Sequence, residues 1–138
     1  MERVVIDTDV MVSALRSRQG ASYKLIEMMF QGAFQVVVSV PMVFEYEAIL
    51  SSQFVPDIYT SDDITGFVDS ICNIAEHHNI YYLWRPVLKD AYDDHVLELA
   101  LASGCKYIVT YNIKDFKNAS GLGIVAIEPY DFIMMLEK

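Results

Sequence analysis

The chain has 138 residues, 54% of them hydrophobic and 21% charged, and a formal net charge of −9. That length is expected to hold one α/β domain with a true core and no second domain, and so few charges argue against a disordered tail. A charge this negative argues against simple nucleic-acid binding, where basic side chains supply most of the affinity, unless divalent cations offset a concentrated group of carboxylates. The strand-like run Arg3-Val4-Val5-Ile6 begins almost at once and is read as leaving no room for a signal peptide. No apolar stretch is long and charge-free enough to span a bilayer. Cys72 and Cys105 sit among apolar neighbours and read as reduced core thiols, so a cytoplasmic location is expected.

Residues 3–6 form a β-branched strand running into Asp7-Thr8-Asp9. Residues 10–18 and 21–31 carry helical patterning, broken at Gly20 and stopped at Gly32. Residues 34–38 are a second buried strand; Ser39 and Pro41 then open a helix to about Ser51, proline being tolerated in a first turn. Residues 55–59 read as a loop. Ser61, Asp62 and Asp63 cap a helix with Ile64, Phe67, Val68, Ile71, Ile74 and Ala75 on one stripe. His77 and His78 are expected at its C-terminal end, where they complement the helix dipole. Residues 80–84 are a short strand whose Tyr81, Tyr82 and Trp84 fill a sheet edge. Asp93 and Asp94 start a helix that runs to Ser103 and stops at Gly104. Residues 107–110 and 123–127 are two more strands, and residues 130–137 a terminal helix.

Strands and helices alternate from end to end, and most strands are continuous apolar runs. That combination predicts a central parallel sheet covered on both faces, a three-layer α/β/α sandwich. Functional groups in such sheets gather where strands end and loops begin. Asp7 and Asp9 lie just past the first strand, and Glu45 lies about one turn into the helix after the second. Asp93 and Asp94 occupy a helix N-terminus, and Asp115 follows the strand at 107–110. Three or four carboxylates in one cleft repel unless a divalent cation neutralises them. Oxygen-only ligands favour Mg²⁺ or Mn²⁺, and no His/Cys set has zinc-ligand spacing. Taken singly, each acid also has a plainer explanation: Asx turns for Asp7 and Asp9, a solvated helix position for Glu45, helix caps for Asp93 and Asp94, a turn for Asp115. His95, beside Asp94, is a weaker candidate for the same site.

Val4-Val5-Ile6-Asp7-Thr8-Asp9, then Pro41 and Glu45, then Asp93-Asp94, then Thr110-x-Asn112-x-x-Asp115-Phe116, resembles the PIN domain in order and spacing. Lys89-Asp90-Ala91-Tyr92-Asp93-Asp94, followed by Leu97-Glu98-Leu99-Ala100 and Tyr107-Ile108-Val109-Thr110, is similar to its toxin-like (VapC-type) subgroup. The resemblance covers nearly the whole chain. It implies a single PIN-like domain over residues 1–138 and a metal-dependent endoribonuclease leaving a 5′-phosphate and a free 3′-OH. Its acidic core would be Asp7, Glu45, one of Asp93 and Asp94, and Asp115, with Thr110 and Asn112 in support. Mg²⁺ or Mn²⁺ would be held by Asp7, Asp9, Asp93 or Asp94, and Asp115. Position 9 is often Asn or Ser in this family, so Asp9 adds charge and a further ligand. Asn112 stands where relatives often carry an acid, which passes the fourth carboxylate to Asp115. Which of Asp93 and Asp94 faces the metal stays open.

Arg16, Arg18, Lys24, Lys114 and Lys117 fall near the same strand ends, as phosphate contacts or as ordinary surface charges. The resemblance further implies an RNA substrate, a small antitoxin partner and a homodimer, with no membrane association. Met28, Met29, Phe30, Ile133, Met134 and Met135 suit either a core or an interface. Two rival readings stand beside this one. Residues 4–10 also resemble the first motif of haloacid-dehalogenase-type phosphatases, with Ser39, Lys89 and Asp93-Asp94 as later motifs. That leaves Glu45 and the 110–116 stretch unexplained, and the glycines expected near the acidic pair are missing. The other rival is a PIN fold that binds RNA or a partner without cleaving.

Overall fold

The computed structural model describes residues 1–52, 59–79 and 91–138, with residues 91–94 described in their backbone alone. The order of elements is β1 (Arg3–Ile6), α1 (Thr8–Arg16), α2 (Ala21–Phe30), β2 (Gln35–Val38), α3 (Val40–Ser52), α4 (Ser61–Ile74) and β3 (Glu76–His77). Then come α5 (Ala91–Ser103), β4 (Tyr107–Val109), a 3-10 segment (Ile113–Leu122), β5 (Val125–Ile127) and α6 (Pro129–Leu136). The sheet has five strands in the order β3-β2-β1-β4-β5, and every neighbouring pair is parallel. Helices flank it in the three-layer α/β/α arrangement expected from the alternation of elements.

The strand residues explain the layers. Val4, Val5, Ile6, Val36, Val37, Val38, Ile108 and Val109 are all buried, so successive side chains on both faces of the central strands meet apolar neighbours. Because β1 to β3 and β4 to β5 run in opposite directions across the sheet, the right-handed rule for parallel crossovers assigns α1–α4 to one face and α5 with the 3-10 segment to the other. Packing largely follows that division: α1 meets α2 and α3, α3 meets α4, and α2 meets α6, whereas α5 lies across β1, β2 and β4 and against the 3-10 segment, touching α3 as well. Met11, Leu25, Met29, Met42, Tyr46, Leu50, Ile71, Leu99 and Phe132 fill the space between. Of the adaptable side chains, Met29 and Ile133 are core, while Phe30 and Met134 remain exposed.

Helix starts are chemically marked. Asp7 caps α1 by accepting from the Thr8 N–H at 2.8 Å, so the helix begins two residues earlier than its apolar pattern suggested. Thr60, rather than Ser61, caps α4: its hydroxyl accepts from the Asp63 N–H while the Asp63 carboxylate accepts from the Thr60 N–H. Gly104, at φ +76°, closes α5 where a side chain would be strained.

One sequence expectation is revised. His77 lies in β3 and His78 just past it, instead of ending a helix. The His77 ring still donates to the Cys72 carbonyl oxygen in the last turn of α4 (2.8 Å), so the dipole-complementing role survives the change of element. His78 instead pairs with Glu76, which also binds Arg3 from β1. The strand expected at 80–84, with Tyr81, Tyr82 and Trp84, lies outside the described residues, as do Lys89 and Asp90. Both cysteines are free, Cys105 buried and Cys72 half-buried, and burial pushes both thiols up, as core thiols require. Among the described residues no helix is long and apolar enough to cross a membrane.

The topology also selects a place for chemistry. The chain winds β1 to β2 to β3 in one direction, then crosses back and winds β4 to β5 in the other. The direction reverses between β1 and β4, and the crevice at their carboxyl ends is where open α/β sheets bind ligands. Ile6 pairs with Val109, so the next residues on the two strands are Asp7 and Thr110.

Candidate active site

Asp7 is held from three sides. Its backbone N–H continues the ladder to the Val109 carbonyl (2.9 Å), its Oδ1 accepts from the Thr8 N–H, and its Oδ2 accepts from the Thr110 hydroxyl (2.8 Å). Only 5% of the residue is exposed. Asp9, in the first turn of α1, accepts the Tyr111 N–H on Oδ2 at 3.0 Å. The Thr110 hydroxyl is also 3.5 Å from that oxygen, but its single proton belongs to Asp7 at the shorter distance. Thr110 in turn accepts the Asn112 N–H at 2.9 Å. Asp9 Oδ1 is buried and has no hydrogen-bond partner among the described residues.

Glu45 arrives from α3. The residue beside it, Tyr46, is fully buried and donates its hydroxyl proton to the Ile6 carbonyl at the end of β1. That bond fastens α3 against the strand end and so brings the Glu45 carboxylate over Thr8. The Thr8 hydroxyl donates to Oε2, and the His95 Nε2 lies 3.1 Å from Oε1. His95 joins α5 to the cluster, and its own Nδ1 is buried without a partner among the described residues.

Burial dominates the electrostatics of the two aspartates. It raises the Asp7 pKa, against hydrogen bonds from Thr110 and Thr8 that hold it down. Asp9 is pushed up to about 7, first by burial and next by the charge on Asp7. Burial also acts to raise Glu45, but the hydrogen bonds from His95 and Thr8 outweigh it and leave the carboxyl below its ordinary value. The crevice therefore contains one firmly ionised acid and two that resist ionising side by side.

The sequence model of the PIN domain matches residues 3–114. The chain belongs to the PIN domain family. The fold of this PIN domain is also that of two solved structures. The crystal structure of VapBC2 from Rickettsia felis, bound to a DNA fragment from its promoter, superposes with a TM-score of 0.62 at 15% identity, covering 91% of this chain and 98% of that one. The structure of VapBC-1 from nontypeable Haemophilus influenzae gives a TM-score of 0.61 at 12% identity, covering 93% of this chain and 98% of that one. At such identities the likeness is one of fold. A search of curated protein sequences finds no match.

Within this PIN domain, Asp7, Asp9, Glu45 and Thr110 come together as the strand-end argument required. Asn112 contributes its backbone N–H to Thr110, while its side chain is exposed. Asp115 is exposed in the first turn of the 3-10 segment, and among the described residues its side chain has no hydrogen bond or ion pair with the cluster. Asp93 and Asp94 occupy the first turn of α5, immediately before His95; their side chains lie outside the description. Of the basic candidates, Lys24 pairs with Glu137 at 3.2 Å. Arg18 lines a groove of about 320 Å³ with Tyr23, Phe30, Tyr59 and Phe67, and Arg16 is exposed at the far end of α1. Lys114 and Lys117 are exposed on the 3-10 segment, next to the strand end that carries Thr110.

Thr8 and His95 were underweighted by sequence reasoning. Thr8 was visible only as the residue between two acids, and His95 only as the neighbour of Asp94. Their common partner, Glu45, is supplied by a different helix. His95→Ala should leave Glu45 held by Thr8 alone and, if this cluster is a nuclease site, lower cleavage by roughly 10- to 100-fold, the usual cost of losing a partner that orients a functional carboxylate. His95→Gln, which keeps a donor, should recover part of that loss. Cleavage rates unchanged in both variants would remove His95 from the site.

Proposed function

We propose that this PIN domain is a divalent-cation-dependent endoribonuclease acting as the toxin of a toxin–antitoxin pair. The observation that carries the reading is the Asp7–Asp9 pair at the switch point, with Asp7 buried, Asp9 half-buried, and the buried Asp9 Oδ1 without a hydrogen-bond partner among the described residues. A Mg²⁺ or Mn²⁺ ion fits that donor set, since it would neutralise both charges and take the orphaned oxygen. Among the described residues no group of three or more acids, histidines or cysteines is arranged to hold a metal. Further ligands would come from Asp93 or Asp94 and from Asp115. When bound, such an ion supplies charge stabilisation at a phosphoryl oxygen and activates water.

The remaining roles belong to the protein. The Thr110 hydroxyl orients Asp7, and the Tyr111 N–H orients Asp9. Glu45, kept ionised by His95 and Thr8, is the acid placed to accept a proton from an attacking water. Lys114 and Lys117 are the cations best placed for substrate phosphates, with Arg16, Arg18 and Lys24 further from the crevice or already paired. The free thiols of Cys72 and Cys105 support the cytoplasm as the place of work. The VapBC names of the two fold neighbours support a small antitoxin partner. Val40 and Phe44, 59% and 68% exposed one turn apart on α3, supply apolar surface for a second copy or that partner. Residues 1–138 would act as one domain.

The phosphatase rival loses part of its footing, because Ser39 is buried at the start of α3, where its hydroxyl accepts from the Met42 N–H, and it offers little surface to a phosphate. The test is direct. Single-stranded RNA should be cut internally with Mg²⁺ or Mn²⁺, giving 5′-phosphate and 3′-hydroxyl ends. EDTA should abolish the cutting, and zinc should restore it poorly. A small phosphomonoester should be ignored. Turnover of that ester through a covalent intermediate on Asp7, without RNA cleavage, would overturn the assignment.

A further inference from the structure

Tyr111 is the first residue past the Thr110 that organises the acids. Its backbone N–H holds Asp9 Oδ2 at 3.0 Å, and its phenol oxygen lies 2.5 Å from the Ser22 Oγ at the start of α2. Ser22 is fully buried. The side chain is therefore fixed at both ends, by its backbone to the carboxylate cluster and by its hydroxyl to a neighbouring helix. Despite this the residue is 40% exposed, and among the described residues its ring pairs with no other aromatic. A tyrosine used for packing looks different: Tyr46 is 0% exposed with its hydroxyl satisfied on the chain beneath. An immobilised ring with an open surface loses little entropy on forming a contact.

The charge of the protein gives that ring a task. At −9, this chain offers a single strand little phosphate attraction beyond Lys114 and Lys117, and another of its cations, Lys24, is already paired. Stacking on a nucleobase is independent of charge, tolerates any base and contributes comparably per contact. We propose that Tyr111 is the stacking platform for the nucleobase adjacent to the scissile phosphate, held ready by Ser22. This rests on the ribonuclease reading. It makes Tyr111 a substrate-positioning residue, with Ser22 acting through it.

The test compares wild type with Tyr111→Ala, Tyr111→Phe, Tyr111→Trp and Ser22→Ala. Cleavage of a short single-stranded RNA with Mg²⁺ gives kcat and KM, and binding of the same RNA is measured in an Asp7→Asn background. Tyr111→Ala should raise KM and weaken binding by about tenfold, with a much smaller change in kcat. Tyr111→Trp and Tyr111→Phe keep a ring and should restore most of the affinity. Ser22→Ala and Tyr111→Phe release the same tether, so their small losses should match and should not compound in the double variant. The decisive probe is the same RNA carrying one abasic nucleotide at successive positions. At one position it should weaken wild type by about tenfold and leave Tyr111→Ala unaffected, because the base has nothing left to stack on. Penalties that multiply at every position would overturn the proposal, as would a folded Tyr111→Phe as impaired as Tyr111→Ala. RNA cut equally well by wild type and Tyr111→Ala would overturn the stacking role alone. A wild type that neither binds nor cuts RNA would overturn the ribonuclease reading along with it.

Discussion

Replacing Asp9 with Asn is expected to cost about 10²–10⁴-fold in cleavage and at the same time to make the metal-free protein more stable. Asp9 titrates at about 7 in the folded protein against 3.8 for an ordinary aspartate. Holding it ionised at pH 8 therefore costs folding about 4 kcal/mol. An asparagine is neutral and nearly the same shape, and its carbonyl oxygen can still accept the Tyr111 N–H. Its amide nitrogen would take the buried place of Oδ1, where no partner among the described residues awaits it. That unmet donor gives back roughly 1–3 kcal/mol, leaving a net gain of about 1–3 kcal/mol and a melting temperature higher by several degrees. Asp7→Asn should behave differently. Its Oδ1 accepts from the Thr8 N–H and its Oδ2 from the Thr110 hydroxyl, so an amide nitrogen fits only at Oδ2 and only if that hydroxyl turns to accept, and the bond thereby weakened offsets much of the relief. Its activity should fall as far, but its melting temperature should stay near that of wild type. Thermal melts at pH 8 without divalent cations, beside cleavage assays with Mg²⁺, decide both points. An Asp9→Asn protein that melts lower, or still cuts, would make Asp9 structural.

The contrast between these two aspartates was not legible in the sequence, although their presence in the site was. Strand ends can be read from apolar runs, and the rule that parallel sheets react at their carboxyl edge then points to Asp7, Asp9 and Thr110 without any knowledge of contacts. Glu45 needed one more step, its place one turn into the next helix. The identity of each oxygen's partner depends on residues about a hundred positions apart, as with Thr110 and Asp7, and no local pattern encodes that. His95 shows the same limit: its meaning comes from Glu45, fifty positions away. Tyr111 read as filler between Thr110 and Asn112, because its anchor on Ser22 is a tertiary contact.

Elements failed where the sequence carried no period. β3 is only two residues long, Glu76 and His77, and at the sheet edge it presents polar side chains that look like a helix end. The 3-10 segment from Ile113 to Leu122 buries only Phe116 and Ala119, too sparse a pattern to announce a helix. Asp115 sits in that segment, which is why its expected convergence on the cluster rested on spacing alone.

The metal-free protein should be most stable in mildly acidic solution, and divalent cations should move that optimum toward alkaline pH. Asp7 and Asp9 have folded pKa values above their unfolded ones, so the folded state binds their protons more tightly. The Asp9 contribution is fully present below about 3.8 and is lost as pH rises through about 7, and the Asp7 contribution is lost in the same direction. Between pH 8 and pH 5, Asp9 alone should add on the order of 2–3 kcal/mol. Glu45 and Glu76 run the other way. Both have lowered values, so their stabilisation holds above about 4.5 and is lost as pH falls, through about 2 for Glu76. The Glu76 pairs with Arg3 and His78 are about one-third exposed and carry little weight in the balance. The opposing trends put the maximum between about pH 4.5 and 6. General repulsion from the net charge of −9 also relaxes in acid, and Asp9→Asn separates the two effects, since it keeps nearly all of that charge. Its profile between pH 5 and 8 should be clearly flatter than that of wild type. A divalent ion binds the ionised carboxylates in place of protons, so Mg²⁺ should raise the melting temperature strongly at pH 8 and hardly at pH 5. Melts that peak at pH 8 without metal, or that respond equally to Mg²⁺ at both pH values, would show that the Asp7–Asp9 pair is not the cation site.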